Sequence, residues 1–220
     1  MYQTKKLARR VVTFAMTLFL AGTAMVGAAS ADDTPDPTPT PPVVSWTDEA
    51  GDTYFAQALT ADEIKEKGLD KYVDMDNLTM TTPRLEDATT SGMKPAEPEE
   101  STGGTAAVKA NGCWHYWFGY GTFSWPRLYG KTDVDWCGDG RWVRYANSFC
   151  YGYDDYTTYN YEGCSNYPNY GVGWNLYRVK TQWSLCYAYN PIWGSCLARS
   201  KPIRSYQFLG SGAVQYLGAG

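Results

Sequence analysis

Histidine is nearly absent from this chain: His115 is the only one in 220 residues. A zinc centre built on two histidines is therefore excluded. A Ser-His-Asp triad would have to recruit His115, and no Gly-x-Ser-x-Gly elbow accompanies it. Cysteine is missing from the first 112 residues, and no Cys-x-x-Cys spacing occurs anywhere, which leaves no zinc-ribbon or thioredoxin-type pattern. After the first ten residues no run of Lys and Arg appears, so the phosphate footprint is weak and a nucleic-acid partner is not favoured. No apolar run long enough to span a membrane follows Ala29. Between Gly112 and Gly220 no window keeps the helical period over ten residues. No cofactor motif is present, and no cofactor is expected.

What is present is concentrated in the C-terminal half. Cys113, Cys137, Cys150, Cys164, Cys186 and Cys196 share residues 112–220 with eight Trp, sixteen Tyr and four Phe. An even cysteine set downstream of an export signal reads as a disulfide framework. Six cysteines allow fifteen pairings, and spacing does not choose among them. Each aromatic side chain can bury on the order of 150–250 Å², so a core is available despite few Leu and Ile.

Residues 1–31 read as a cleaved signal peptide. Lys5, Lys6, Arg9 and Arg10 form the positive region, Val11 to Ala29 the apolar one, and Ala29-Ser30-Ala31 the small-residue site. Val11-Val12 after Arg9-Arg10 favours the general secretory route over the twin-arginine one. The expected location is extracellular, in the medium or on the cell wall. Residues 32–111 carry seventeen acidic against six basic residues, a net of −11, while residues 112–220 net +3. We read 32–111 as a largely disordered acidic arm and linker. Thr34 to Pro42 forms an extended spacer in this reading. One short helix near 61–67 is marked by the capping box Thr60-Ala61-Asp62-Glu63, a Leu59–Ile64 staple and a Gly68 stop. So short a helix is not stable alone; it docks on the C-terminal domain or forms transiently.

Residues 112–220 read as an all-β domain, a disulfide-stabilised antiparallel sandwich or barrel. Tyr129 to Cys137 alternates, with Thr132, Val134 and Trp136 on one face and Lys131, Asp133 and Asp135 on the other. Gly138-Asp139-Gly140 turns the chain, and Arg141 to Cys150 returns with Val143, Tyr145, Asn147 and Phe149 on one face. Trp114 to Tyr120, Val172 to Trp183, Leu185 to Tyr189 and Tyr206 to Leu209 are further strand candidates, and Tyr151 to Tyr170 reads as a long loop. The Val134 to Gly140 hairpin is similar to one in small secreted Trp- and Cys-rich β proteins of Gram-positive bacteria. That resemblance covers Leu128 to Cys150 and implies the β-sandwich, without implying an activity.

Three chemistries can be weighed. A ribonuclease-like site would pair His115 with Glu162, the domain's only glutamate, and use Arg141, Arg144 or Arg178 on the phosphate. Asp133, Asp135 and Asp139 partly match a calcium loop, but Cys137 and Arg144 stand where ligands are required; Asp154-Asp155 fits a turn as well as a cation site. Tyr151, Tyr153, Tyr156, Tyr159, Tyr161, Tyr167 and Tyr170 lie among Gly, Asn and Asp. Exposed, such rings suit glycan stacking or a protein surface. The reading favoured is a non-catalytic binding module for glycan, cell wall or a protein surface. A secreted antagonist with 32–111 as pro-segment comes second and a small hydrolase third.

Overall fold

The structure is a computed structural model and describes residues 44–47, 53–86, 94–95 and 109–219. The signal segment, the Thr34–Pro42 spacer and most of the linker before residue 109 lie outside the described residues. In chain order the first elements are β1 (Val44–Thr47), β2 (Thr53–Ala58), α1 (Ala61–Glu66), β3 (Arg84–Glu86), β4 (Gly112–Thr122), β5 (Leu128–Gly138) and β6 (Val143–Asp154). Then follow β7 (Asn160–Tyr170), β8 (Leu176–Cys186), β9 (Tyr189–Asn190), β10 (Ser195–Cys196), β11 (Arg199–Ser200), β12 (Ile203–Leu209) and β13 (Ala213–Gly218).

The fold is all-β. One sheet runs β1-β2-β4-β5-β6, every neighbour antiparallel. In the other, β8 pairs with β7 on one side and with β11 and β12, end to end, on the other; β13 and a parallel β3 complete it. The alternation in β5 forms as its residues dictate. Thr132, Val134 and Trp136 point inward and are fully buried. Val134 and Trp136 share one core with Tyr116 and Phe118 of the neighbouring β4 and with Trp183, Tyr206 and Phe208 of the facing sheet. The two sheets approach so closely at Gly130 that a Cβ there would lie 2.3 Å from the Trp183 ring. A buried hydroxyl pair, Thr132 to Thr181 at 3.1 Å, also joins them.

Three disulfides close the frame: Cys113–Cys137, Cys150–Cys164 and Cys186–Cys196. The first joins directly opposed residues of β4 and β5, Cα atoms 4.1 Å apart. The second ties β6 to β7, one edge strand of each sheet. The third anchors the β9–β10 hairpin to the end of β8.

Three expectations change. The β structure begins well before Gly112: β2 extends the first sheet on β4, and β3 the second on β13. The helix forms as Ala61–Glu66 with its capping box intact. It docks: Ile64, with Leu59, Leu69, Val73 and Ala110, covers the Cys113–Cys137 bridge in a second apolar cluster. Docking supplies the burial that two turns lack on their own. Tyr151 to Tyr170 is not a long loop; β6 runs to Asp154 and β7 resumes at Asn160. Their backbones pair with β5 and β8, and that pairing overrides the turn-prone composition. The candidates from Val172 to Tyr189 resolve into β8, which starts only at Leu176 and runs through to Cys186.

Candidate binding face

The first sheet turns one face to the core and the other outward. Side chains of β2, β4, β5 and β6 form rows across the outward face, fixed by strand register. One row is Gln57, His115, Asp135 and Asn147; the next is Phe55, Trp117, Asp133 and Phe149. Gly119, Lys131 and Tyr151 follow, then Gly121, Tyr129 and Tyr153. The two glycines leave room on β4, and Phe123 folds back over Gly119 to fill it: a Cβ at Gly119 would lie 2.5 Å from that ring.

The rings of this face are close to parallel in pairs. Phe55 and Trp117 are 6.2 Å apart at 9°, and Phe149 and Tyr151 5.6 Å apart at 19°. Phe123 stacks on Tyr129 at 4.5 Å, and Tyr129 on Tyr153 at 6.1 Å. Phe149 and Tyr153 are exposed, and Phe55, Trp117, Tyr129 and Tyr151 are half-buried. Lys131 Nζ lies 4.6 Å from the Trp117 centroid and 5.5 Å from that of Tyr151.

Charge on the face is balanced pair by pair. Lys131 Nζ lies 3.1 Å from Asp133 Oδ1, Lys67 Nζ 3.0 Å from Asp135 Oδ2, and Arg127 Nε 2.8 Å from Asp155 Oδ2. His115 Nδ1 is 2.8 Å from Asp135 Oδ1, and its Nε2 is 3.8 Å from Asp133. Burial works to raise the pKa of Asp135, but His115 and Lys67 outweigh it and hold the carboxyl below its usual range. Burial likewise works to lower that of Lys131, and the Tyr151 hydroxyl and Asp133 carboxylate carry it above the usual value. Both groups are therefore charged at neutral pH.

The hydrolase pair is not assembled. His115 lies on β4 and is held by Asp135, whereas Glu162 lies on β7 of the other sheet. Glu162 accepts from both Arg199 Nε (2.5 Å) and Nη2 (2.7 Å), and from Ser184. Arg141 lies over Trp142, Arg144 pairs with Asp139, and Arg178 donates to Gln207. The three aspartates do not form one loop. Asp133 and Asp135 are taken by Lys131, His115 and Lys67; Asp139 caps the β5–β6 turn by accepting from the amides of Arg141 and Trp142. Asp154 accepts from the amide of Tyr161 and Asp155 from that of Arg127. Among the described residues, the cluster with metal-ligand spacing is Glu162 with Cys186 and Cys196, and both sulfurs are in a disulfide.

The seven tyrosines divide. Tyr151 and Tyr153 stand on the outward face. Tyr156 and Tyr159 sit in the β6–β7 turn, where Tyr156 meets Trp125 and Tyr159 meets Tyr187. Tyr161 packs against the core and Gly152, and burial pushes its hydroxyl pKa up to about 12. Tyr167 is exposed on the second sheet, and Tyr170 packs on Trp174. Trp117 and Phe55 complete the face. Trp117 was within reach of period-2 reading, two residues from His115 on β4; Phe55 lies about sixty residues from its partner strand and has no local signal. No protein-family model, curated protein or solved structure matches the chain.

Proposed function

We propose that this is an exported, non-catalytic binding module that holds a neutral glycan of the cell envelope on the outward face of the first sheet. The observation that carries the reading is the set of paired parallel rings around the Lys131–Asp133 ion pair. Sugar rings present flat C–H faces to aromatic side chains and hydroxyls to charged ones, so apolar platform and polar groups belong together in such a site. Pairwise charge balance argues against a polyanion, which needs unpaired cations. Three disulfides fit an oxidising compartment, in keeping with the export signal. Among the described residues no helix is long and apolar enough to cross a membrane.

The pro-segment reading is less well supported, because cleavage near Gly112 would strip β2 from one sheet and β3 from the other. The test is retention of the full chain on insoluble chitin, cellulose and purified cell wall. Trp117→Ala and Tyr151→Ala should each weaken retention on the order of tenfold, the loss of one stacking contact. Raising salt should change it little. Equal retention by both variants, or none by the native chain, would remove the proposal.

A further inference from the structure

We infer that one end of the sandwich, where Ile192 and Trp193 project, inserts into the interfacial layer of a lipid bilayer. Three connections meet there: the β4–β5 hairpin, the β6–β7 turn and the β9–β10 hairpin. A chain of rings links them, Trp125 to Tyr156 at 6.3 Å, Tyr156 to Tyr159 at 5.6 Å and Tyr159 to Tyr187 at 6.1 Å. Backbone bonds reinforce the link, with the Tyr189 amide donating to Thr158 and that of Asp155 to Arg127.

The tips of these connections are apolar and unburied. Ile192 is 86% exposed, Trp193 76%, Trp125 74% and Leu197 70%. They are also uncharged: residues 119–126, 156–161 and 187–198 contain no Asp, Glu, Lys, Arg or His. Of the cations behind them, Arg127 and Arg199 are neutralised by Asp155 and Glu162. Elsewhere scattered apolar residues such as Val172 stand exposed singly, which is ordinary for a protein surface.

Shape and charge together select the occupant. Ile192 and Trp193 project at a turn that is fixed twice, by Asn190 Oδ1 accepting from both amides and by the Cys186–Cys196 bridge. A projecting tip enters a fluid medium without needing a matching hollow, and Trp and Tyr favour the level between headgroups and acyl chains. Uncharged tips match that level, where a charged side chain would be costly. The insertion gains by apolar burial rather than by attraction to anionic headgroups.

The experiment is sedimentation of the full chain with phosphatidylcholine vesicles and, separately, with equimolar phosphatidylcholine and phosphatidylglycerol. The native chain should pellet with both, to a similar extent at low and high salt. Ile192→Ser/Trp193→Ser should cut partitioning on the order of a hundredfold, from two apolar side chains left in water. The variant should keep the native thermal midpoint and far-ultraviolet spectrum, and its retention on glycan. A native chain that stays in the supernatant, or a variant that pellets equally, would overturn the inference. Binding to anionic vesicles alone, abolished by salt, would also overturn it.

Discussion

At the end where β5 turns into β6, three turns are joined through their backbones: Gly140 donates to Gly210 at 3.0 Å, Gly210 to Asn175 at 3.0 Å and Val143 to Trp174 at 2.8 Å. The segment carrying α1 lies over the same end and covers the Cys113–Cys137 bridge. Charges there are engaged, Asp139 by Arg144 and Lys67 by Asp135. The opposite end has no charge at its tips and holds its large apolar side chains in solvent. Both ends are tied by a disulfide and by hydrogen bonds between turns, so rigidity alone does not distinguish them. What differs is where the apolar surface goes. One end spends it on its own chain and contributes stability; the other keeps it for contact.

Removing the disulfides should separate the two ends most sharply. Cys113→Ala/Cys137→Ala opens a link of 24 residues inside a fully buried cluster, and should cost about 3–4 kcal/mol on the chain-entropy scale. The second apolar cluster should loosen with it, releasing α1. Cys186→Ala/Cys196→Ala opens a link of 10 residues between a buried Cys186 and a half-buried Cys196 and should cost about 2–3 kcal/mol. Its larger effect should fall on vesicle binding, since the Ile192–Trp193 tip loses its anchor. Urea unfolding followed by tryptophan fluorescence measures the first difference and vesicle sedimentation the second. Equal stability losses with unchanged vesicle binding would erase the distinction between the ends.

Glycines sharpen it further. A Cβ on Gly138 would lie 2.1 Å from the backbone oxygen of Gly210, and no flexible side chain stands there to give way. Gly138→Ala should therefore destabilise by about 3 kcal/mol. At Gly194, in the β9–β10 hairpin, a Cβ would meet only the Tyr189 hydroxyl, 3.9 Å away, and φ is +60°. Gly194→Ala should cost only about 1 kcal/mol, the strain of a left-handed backbone carrying a Cβ. Thermal unfolding of the two variants side by side decides the matter, and a Gly138→Ala chain as stable as Gly194→Ala would contradict the close packing of the turns.

Local pattern accounts for much of this architecture. The alternation from Lys131 to Trp136, the Gly138–Gly140 turn and the Thr60–Glu63 capping box are encoded by neighbours within a few residues, and each forms as its chemistry requires. Long-range pairing is not encoded that way. Nothing near Phe55 indicates that it will lie beside Trp117, or near Leu85 that its strand will run parallel to β13. Tyr151 to Tyr170 misled because Gly, Asn and Pro punctuate it, whereas the pairing with β5 and β8 that straightens it is tertiary. The binding face falls between these cases. Alternation alone sets Asp133 and Lys131 on one side of β5, but their aromatic neighbours come from three other strands.

Acid should expose the smallest difference between the ends. Asp139 and Asp155 both sit at turns and both have pKa values below the usual carboxyl range. For Asp139 burial works against the charged form, but the amides of Trp142 and Arg141 and the Arg144 guanidinium outweigh it. For Asp155 the hydrogen bond from the Arg127 side chain leads, with the Arg127 amide behind it. A carboxyl depressed by folding stabilises fully above its unfolded pKa of about 3.9 and loses that contribution as pH falls through the lower folded value. Asp139→Asn should thus cost about 1 kcal/mol near neutral pH, and the deficit should shrink as pH falls through the depressed folded value and the native residue becomes protonated too. Because backbone amides hold much of that interaction, salt should hardly change it. Asp155→Asn should show a deficit that high salt reduces, since the half-exposed Arg127 side chain leads there. Stability curves of both variants against pH, at low and high salt, measure all of this. A salt-sensitive deficit at Asp139 would mean that its turn is held by Arg144 rather than by the chain, and that the stable end is less closed than its backbone bonds indicate.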